Sequence, residues 1–151
     1  MKHQNIDDLP GKHRAGAAGY EFIRRDFLEV HEAQSLVRVY EVPPGKSAYP
    51  YHCHLKNEET FFILKGEGLL RTNEGERTVR PGDLLFFPAG EEGAHKLTNT
   101  SETEMLVYLD FDIVHDLDVT MYPDSGKIGI WGKNTNKIYR LDDDVDYYEG
   151  E

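Results

Sequence analysis

The stretch GKSAYPYHCHLKNEETFFILKG, residues 45–66, decides how the rest of the chain reads. Its working part is His52-Cys53-His54 followed by Glu59. Successive side chains of a β-strand point to opposite faces, so His52 and His54 share one face and Cys53 takes the other. Two strand residues separate the imidazoles by about 7 Å along the chain, close enough to converge on one ion. A strand face turned to a core ordinarily carries Val, Ile or Leu. Two histidines there call for a partner, and a metal is the commonest one. Glu59 precedes the apolar run TFFIL, residues 60–64, which reads as a buried strand. A carboxylate at the mouth of such a strand must be paired or bound to a cation. Glu58 is the rival carboxylate, but Glu59 shares its parity with Phe61 and Ile63, the side chains expected to face inward. Cys53, turned away by the same parity, reads as a buried and inert thiol.

A second stretch, GDLLFFPAGEEGAHKLTN at residues 82–99, offers a further ligand in His95. It holds a turn, an apolar strand, a Pro-Ala-Gly turn and then the histidine. In these two stretches the chain resembles the cupin family. The family's first motif, G-x5-H-x-H-x3/4-E-x6-G, is met by Gly45, His52, His54, Glu59 and Gly66, with one additional residue before the first histidine. Its second motif, G-x5-P-x-G-x2-H-x3-N, is met by Gly82, Pro88, Gly90, His95 and Asn99, with two additional residues before the histidine. The resemblance implies an all-β double-stranded β-helix, a jelly-roll-like barrel. It also implies one divalent transition metal held inside by His52, His54, Glu59 and His95. The tail segments YPDSGK, residues 122–127, and VDYYEGE, residues 145–151, look like segments of a group of small single-domain bacterial cupins. Asn99 matches the motif, yet an asparagine at a strand end is ordinarily a turn former, so a structural role is expected for it.

A chain of 151 residues points to one domain, long enough to bury a core without staples. Its 28 acidic against 17 basic residues leave a formal charge of −11, which repels phosphate backbones and anionic membranes. Neither nucleic acid nor a membrane is therefore an expected partner; a small-molecule ligand is. A single cysteine rules out an intrachain disulfide. The N-terminus lacks the apolar core of a signal peptide, and no apolar run approaches a membrane span, so a soluble cytoplasmic protein is expected.

Read in order, residues 1–34 form an N-terminal extension, an arm followed at 20–33 by an irregular segment or short edge strand. His3, His13 and His31 lie there without spaced partners and read as solvated. Residues 35–112 carry short β-branched and aromatic runs separated by turn signals, as a barrel requires. Residues 113–151 form a C-terminal extension with short apolar runs at 119–122, 127–131 and 137–141. These are too few for a separate core and are expected to pack on the barrel or on a dimer partner. The acidic end reads as a solvated tail whose tyrosines are pinned to the body. A homodimer is expected from the family likeness and from the extra strands at both ends.

Three imidazoles and a carboxylate leave open positions on an octahedral ion, and mixed nitrogen and oxygen donors suit Zn, Ni, Mn, Fe, Co or Cu without choosing among them. Such a site can polarise a carbonyl or activate dioxygen. The function expected is a metal-dependent enzyme on a small polar substrate, a sugar or sugar-phosphate isomerase or an oxygenase of dioxygenase type. The alternatives are a non-catalytic binding or sensing protein with a bound metal and a metal-free structural barrel. Arg38, Tyr40 and Tyr108 lie on neighbouring strands within reach of the mouth. Tyr49 and Tyr51 are expected to point away from it, by parity with His52.

Overall fold

Alternation with period two in three runs of the chain builds the wall that carries the site. A computed structural model describes residues 1–28 and 33–151. In chain order the strands are β1 (Gly11–Ala15), β2 (Glu21–Leu28), β3 (Ser35–Val42), β4 (Cys53–His54), β5 (Glu58–Lys65), β6 (Gly68–Thr72) and β7 (Gly75–Val79). They continue with β8 (Leu84–Phe87), β9 (His95–Asn99), β10 (Leu106–Ile113), β11 (Leu117–Tyr122), β12 (Lys127–Gly132) and β13 (Thr135–Arg140). One layer is a six-stranded sheet in the order β1-β2-β3-β10-β5-β8. The other joins β7-β6-β9 to β13-β12-β11-β4 through a backbone bridge between His52 and His95. The all-β barrel expected from the sequence is the fold.

The two layers meet over one apolar core in which Phe61 and Ile63 of β5 and Tyr108 and Leu106 of β10 face Leu70 of β6 and Leu97 of β9. Each wall strand grades from apolar to polar along its inward face. On β10 the buried positions run Leu106, Tyr108, Asp110, Asp112; on β5, Ile63 and Phe61 lead to Glu59. On β3, Val42 and Tyr40 give way to Arg38, which stands opposite Asp110 in register. The apolar end closes the barrel, and the polar end opens into the site. Gly66 makes the hairpin beside this core possible. It adopts φ +78°, and a Cβ there would lie 2.4 Å from the Met105 carbonyl oxygen.

The segment at 20–33 departs from its expected character. Residues 29–32, with His31, lie outside the described residues, but Glu21–Leu28 is a full strand between β1 and β3, not an edge. Charges hid its pattern, and those charges are paired. Lys12 Nζ, Arg24 Nε and Arg38 Nε lie 2.9, 2.8 and 3.3 Å from the carboxylate of Asp26, whose side chain is 3% exposed. Burial alone would raise the Asp26 carboxyl; the hydrogen bond from Lys12 and the charge of Arg24 outweigh it and hold it below the usual carboxylate range. Asp26→Asn is expected to cost about 2–3 kcal/mol at pH 7, somewhat less than a fully buried pair because Lys12 and Arg24 keep solvent contact. A depressed folded-state pKa gives stability that is present above the unfolded value of about 3.9 and lost as pH falls through the folded value. Urea midpoints should therefore differ less between the two proteins at about pH 3 than at pH 7; an equal gap would refute the assignment.

The C-terminal residues are woven into the barrel. β11 pairs with β4 through Thr120 opposite His54 and Met121 opposite Cys53, and β12 and β13 extend that sheet. The last tyrosines are not pinned to the body. Tyr147 and Tyr148 are 86% and 75% exposed and touch each other. Solvated acids on both sides give the tail no apolar face to dock.

Candidate metal centre

Three β segments deliver the side chains singled out by the motifs. His52 and His95 are tied to each other through the backbone: the His52 N–H donates to the His95 carbonyl at 3.1 Å, and the return bond is 2.9 Å. The two additional residues before His95 are absorbed by a 3-10 turn at Glu91–Gly93. A Cβ on Gly93 would lie 1.9 Å from the Pro88 carbonyl oxygen, so glycine alone permits the close turn that starts β9. His54 sits on β4, and Glu59 comes from the opposite layer, in register with Asp112 and Phe87.

The ring nitrogens divide cleanly. His52 Nδ1 donates to the Pro50 carbonyl at 2.8 Å and His95 Nδ1 to the Gly93 carbonyl at 2.9 Å. A carbonyl only accepts, so each of these rings carries its proton on Nδ1 and a lone pair on Nε2. His54 Nδ1 donates to the Asp118 carboxylate. The three Nε2 atoms then lie 3.9, 3.6 and 3.4 Å from Glu59 oxygens, for His52, His54 and His95 in turn. Those separations exceed a hydrogen bond. Donor atoms of His52, His54 and Glu59 all lie within 4.8 Å of one another, and His95 joins them only through its approach to Glu59. Two donors held about 2.1 Å from one ion stand about 3.0–3.4 Å apart, so small movements would close the three around a cation and a further shift would bring in His95.

Electrostatics agree with that fit. Burial, then the neighbouring His54, pushes the His52 imidazole down to about 4. Burial and then His52 lower His95 as well. Both rings are thus neutral donors at neutral pH. Burial pushes the Glu59 carboxyl up to about 7, with His54 offsetting part of the rise. Asp110 and Asp112 are also raised, chiefly by burial, and each leaves an Oδ1 atom buried without a hydrogen-bond partner outside the pair. A cavity of about 420 Å³ opens beside the histidines. Arg38, Tyr40, Tyr108, Asp110 and Asp112 line one wall, and Asp118, Thr120, Tyr122 and Trp131 line another.

Arg38, Tyr40 and Tyr108 therefore line the cavity, the two tyrosines deep within it. Tyr49 also lines the cavity, contrary to its expected facing, with its hydroxyl 3.1 Å from that of Tyr40. Parity failed there because Pro50 interrupts the strand and β4 holds only Cys53 and His54. Tyr51 does turn from the cavity, packing with Cys53 and Ala94 under the Arg71 guanidinium. Asn99 is structural: its amide donates to the Val42 and Glu104 carbonyls, both at 2.8 Å.

Asp118 is the residue that motif reasoning missed. One oxygen accepts from the backbone N–H groups of Lys56 and Asn57 at 2.9 and 3.3 Å, and the other holds His54. Burial would raise this carboxyl, but the His54 hydrogen bond outweighs it and lowers it. A carboxylate in this position fixes the ring and increases its basicity. Asp118→Asn is expected to weaken binding of a divalent transition ion by about 10- to 100-fold, read by competition with a chromophoric chelator. An unchanged affinity would remove Asp118 from the site.

The family model for the Cupin domain matches residues 38–113. Among curated proteins, an oxalate-binding protein of Thermotoga maritima is 32% identical over 76 residues, which are 50% of this chain and 60% of that protein's length. Among solved structures, a proposed sugar phosphate isomerase of Acidithiobacillus ferrooxidans is 26% identical with a TM-score of 0.82, over 95% of this chain and 93% of that one. A cupin sugar phosphate isomerase of Silicibacter pomeroyi has a TM-score of 0.77 over 97% of each chain, at 19% identity, which bears on the fold alone. With the barrel, both histidine motifs and the family match in agreement, this chain is a member of the cupin family.

Proposed function

We propose that this cupin is a metal-dependent enzyme that isomerises a small sugar or sugar phosphate. The observation that carries the reading is the union, in one 420 Å³ cavity, of His52, His54 and Glu59 with the Asp110 and Asp112 carboxyls beside Glu59, while His95 stands behind this lining with its Nε2 3.4 Å from Glu59. When bound, a divalent ion supplies Lewis-acid polarisation of a carbonyl and its neighbouring hydroxyl. The chain supplies the rest. Asp110 and Asp112 are a buried pair of acids that share a hydrogen bond and meet no other donor at Oδ1, placed to take a proton from one carbon of the substrate and return it to the next. Arg38, held between Asp26 and Asp112, keeps that wall in place. Tyr40 and Tyr108, stacked with ring centroids 5.2 Å apart, close the floor against water. The similarity to a proposed sugar phosphate isomerase along nearly the whole chain supports the same reading. The test is isotope exchange: metal-loaded protein should move solvent deuterium onto C1 or C2 of an aldose or ketose, followed by NMR. Metal-loaded protein that binds sugars but exchanges no carbon-bound proton would leave the second reading, a non-catalytic binder, which the likeness to an oxalate-binding protein supports.

A homodimer belongs to the proposal. The outward positions of β8 and β10 expose Leu84, Phe86, Phe111 and Ile113 on one sheet face, a patch of the kind that marks an interface. Phe86→Asp is expected to shift the chain from dimer to monomer in light scattering at micromolar concentration. A monomeric wild type would end this part of the proposal.

A further inference from the structure

The charge in the cavity says what kind of substrate it takes. Among the described residues lining it, Glu59, Asp110, Asp112, Asp116 and Asp118 are carboxylates, and Arg38 is the one guanidinium; no lysine lines it. Arg38 is already committed. Its Nε lies 3.3 Å from Asp26 and its Nη1 3.6 Å from Asp112, with its side chain 13% exposed. A divalent ion at the histidines would be balanced by Glu59, Asp118 and the Asp110–Asp112 pair acting against Arg38. Apart from His115 at the edge of the lining, no basic side chain is then left over for a phosphate.

What the walls do offer is acceptors and ring surface. Asp110 and Asp112 face each other, and beyond that shared contact their buried Oδ1 atoms meet no donor, so a substrate hydroxyl would satisfy either. Trp131 spends its Nε1–H on Thr120 at 2.7 Å, so only its ring surface is free. Carboxylate acceptors beside an aromatic surface suit a molecule with several hydroxyls and no charge. Resting on the isomerase reading above, we infer that the substrate is a free, unphosphorylated sugar or polyol-like hydroxycarbonyl, and that the cavity rejects the corresponding phosphate esters by charge.

The experiment uses the metal-loaded full chain and a panel of free aldopentoses and aldohexoses, each beside its terminal phosphate monoester. Binding is read by saturation-transfer NMR and turnover by deuterium exchange. The free sugar should bind at least about thirtyfold more tightly than its phosphate, since the phosphate would lose its hydration beside carboxylates with no uncommitted cation to pair it. Asp116→Lys places a cation at the mouth without touching the histidines, Asp110 or Asp112. It should narrow that ratio at least about threefold, and more at low salt. Phosphates binding as well as or better than free sugars would overturn the inference and leave the isomerase reading intact. Free sugars that bind selectively but show no exchange would uphold the inference and sink the isomerase reading. No binding of any free sugar at 10 mM, on the order of a weak ligand's limit, would overturn the inference.

Discussion

Chelator-stripped wild-type protein, titrated with Ni, Mn, Zn, Co, Fe or Cu ions, should take up about one equivalent of at least one of them, and His95→Ala should bind that ion more than about 100-fold more weakly. The magnitude follows from the place of the side chain. Loss of an outer partner of a ligand costs about 10- to 100-fold, and loss of a ligand itself must cost more. His95 is 2% exposed, its Nδ1 is held by Gly93, and its Nε2 faces Glu59 at 3.4 Å, so the ring is fixed with its lone pair toward the other donors. The variant also removes a ring stacked on Phe87, with centroids 3.6 Å apart, and will be less stable for that reason alone. The measurement is therefore the metal-induced rise in unfolding temperature, not the temperature itself. At about 100 times its dissociation constant the ion adds about 2.7 kcal/mol, roughly 5–10 °C for a domain of this size. Wild type should show that rise and His95→Ala should not. Equal rises in the two proteins, or no uptake of any ion by wild type, would end the metal reading.

Much of this was legible before the fold was known, because the information is local. Parity within a strand ties His52 to His54 and Glu59 to Phe61 and Ile63, and the structure keeps both relations. Where a local rule was broken, the reading failed for a nameable reason. Pro50 ends the regular strand before His52, so parity could not be carried back to Tyr49. β2 concealed its pattern because its charges are satisfied within the sheet: Arg25 with Glu41 at 2.6 Å and Asp26 with Lys12 and Arg38 on the strands to either side, and Arg24 with Asp26 on its own strand. The wall formed by Asp118, Thr120 and Tyr122 depends on pairing with β4, a contact made 66 residues away from His54. No spacing rule reaches that far. A faint signal did exist: in LDVTMY, residues 117–122, the polar side chains fall on one parity, as they do where a strand turns a working face inward.

β10 carries the same conflict further, and it leads to the prediction with the largest effect on chemistry. Its run LVYLDFDI turns Asp110 and Asp112 into the barrel and leaves Phe111 and Ile113 outside. Folding alone would favour the reverse. Buried acids that meet no donor outside their own pair lower stability, so their presence argues for a task. Asp112→Asn keeps the shape, removes the ability to exchange a proton, and leaves Arg38 its bond to Asp26. With whichever sugar wild type turns over, kcat should fall by about 10²- to 10⁴-fold, the usual worth of a positioned acid or base. KM should change little, because the amide oxygen still accepts a substrate hydroxyl. Bound metal should stay at the wild-type level if the ion sits with His52, His54 and Glu59 and not in the neighbouring Glu59, Asp110 and Asp112 cluster. Stability should not fall, since a neutral amide is easier to bury than a carboxylate. Each readout separates a role. Loss of metal would make Asp112 a ligand, a rise in KM alone would make it a binding group, and turnover within tenfold of wild type would take the proton-transfer step away from this wall.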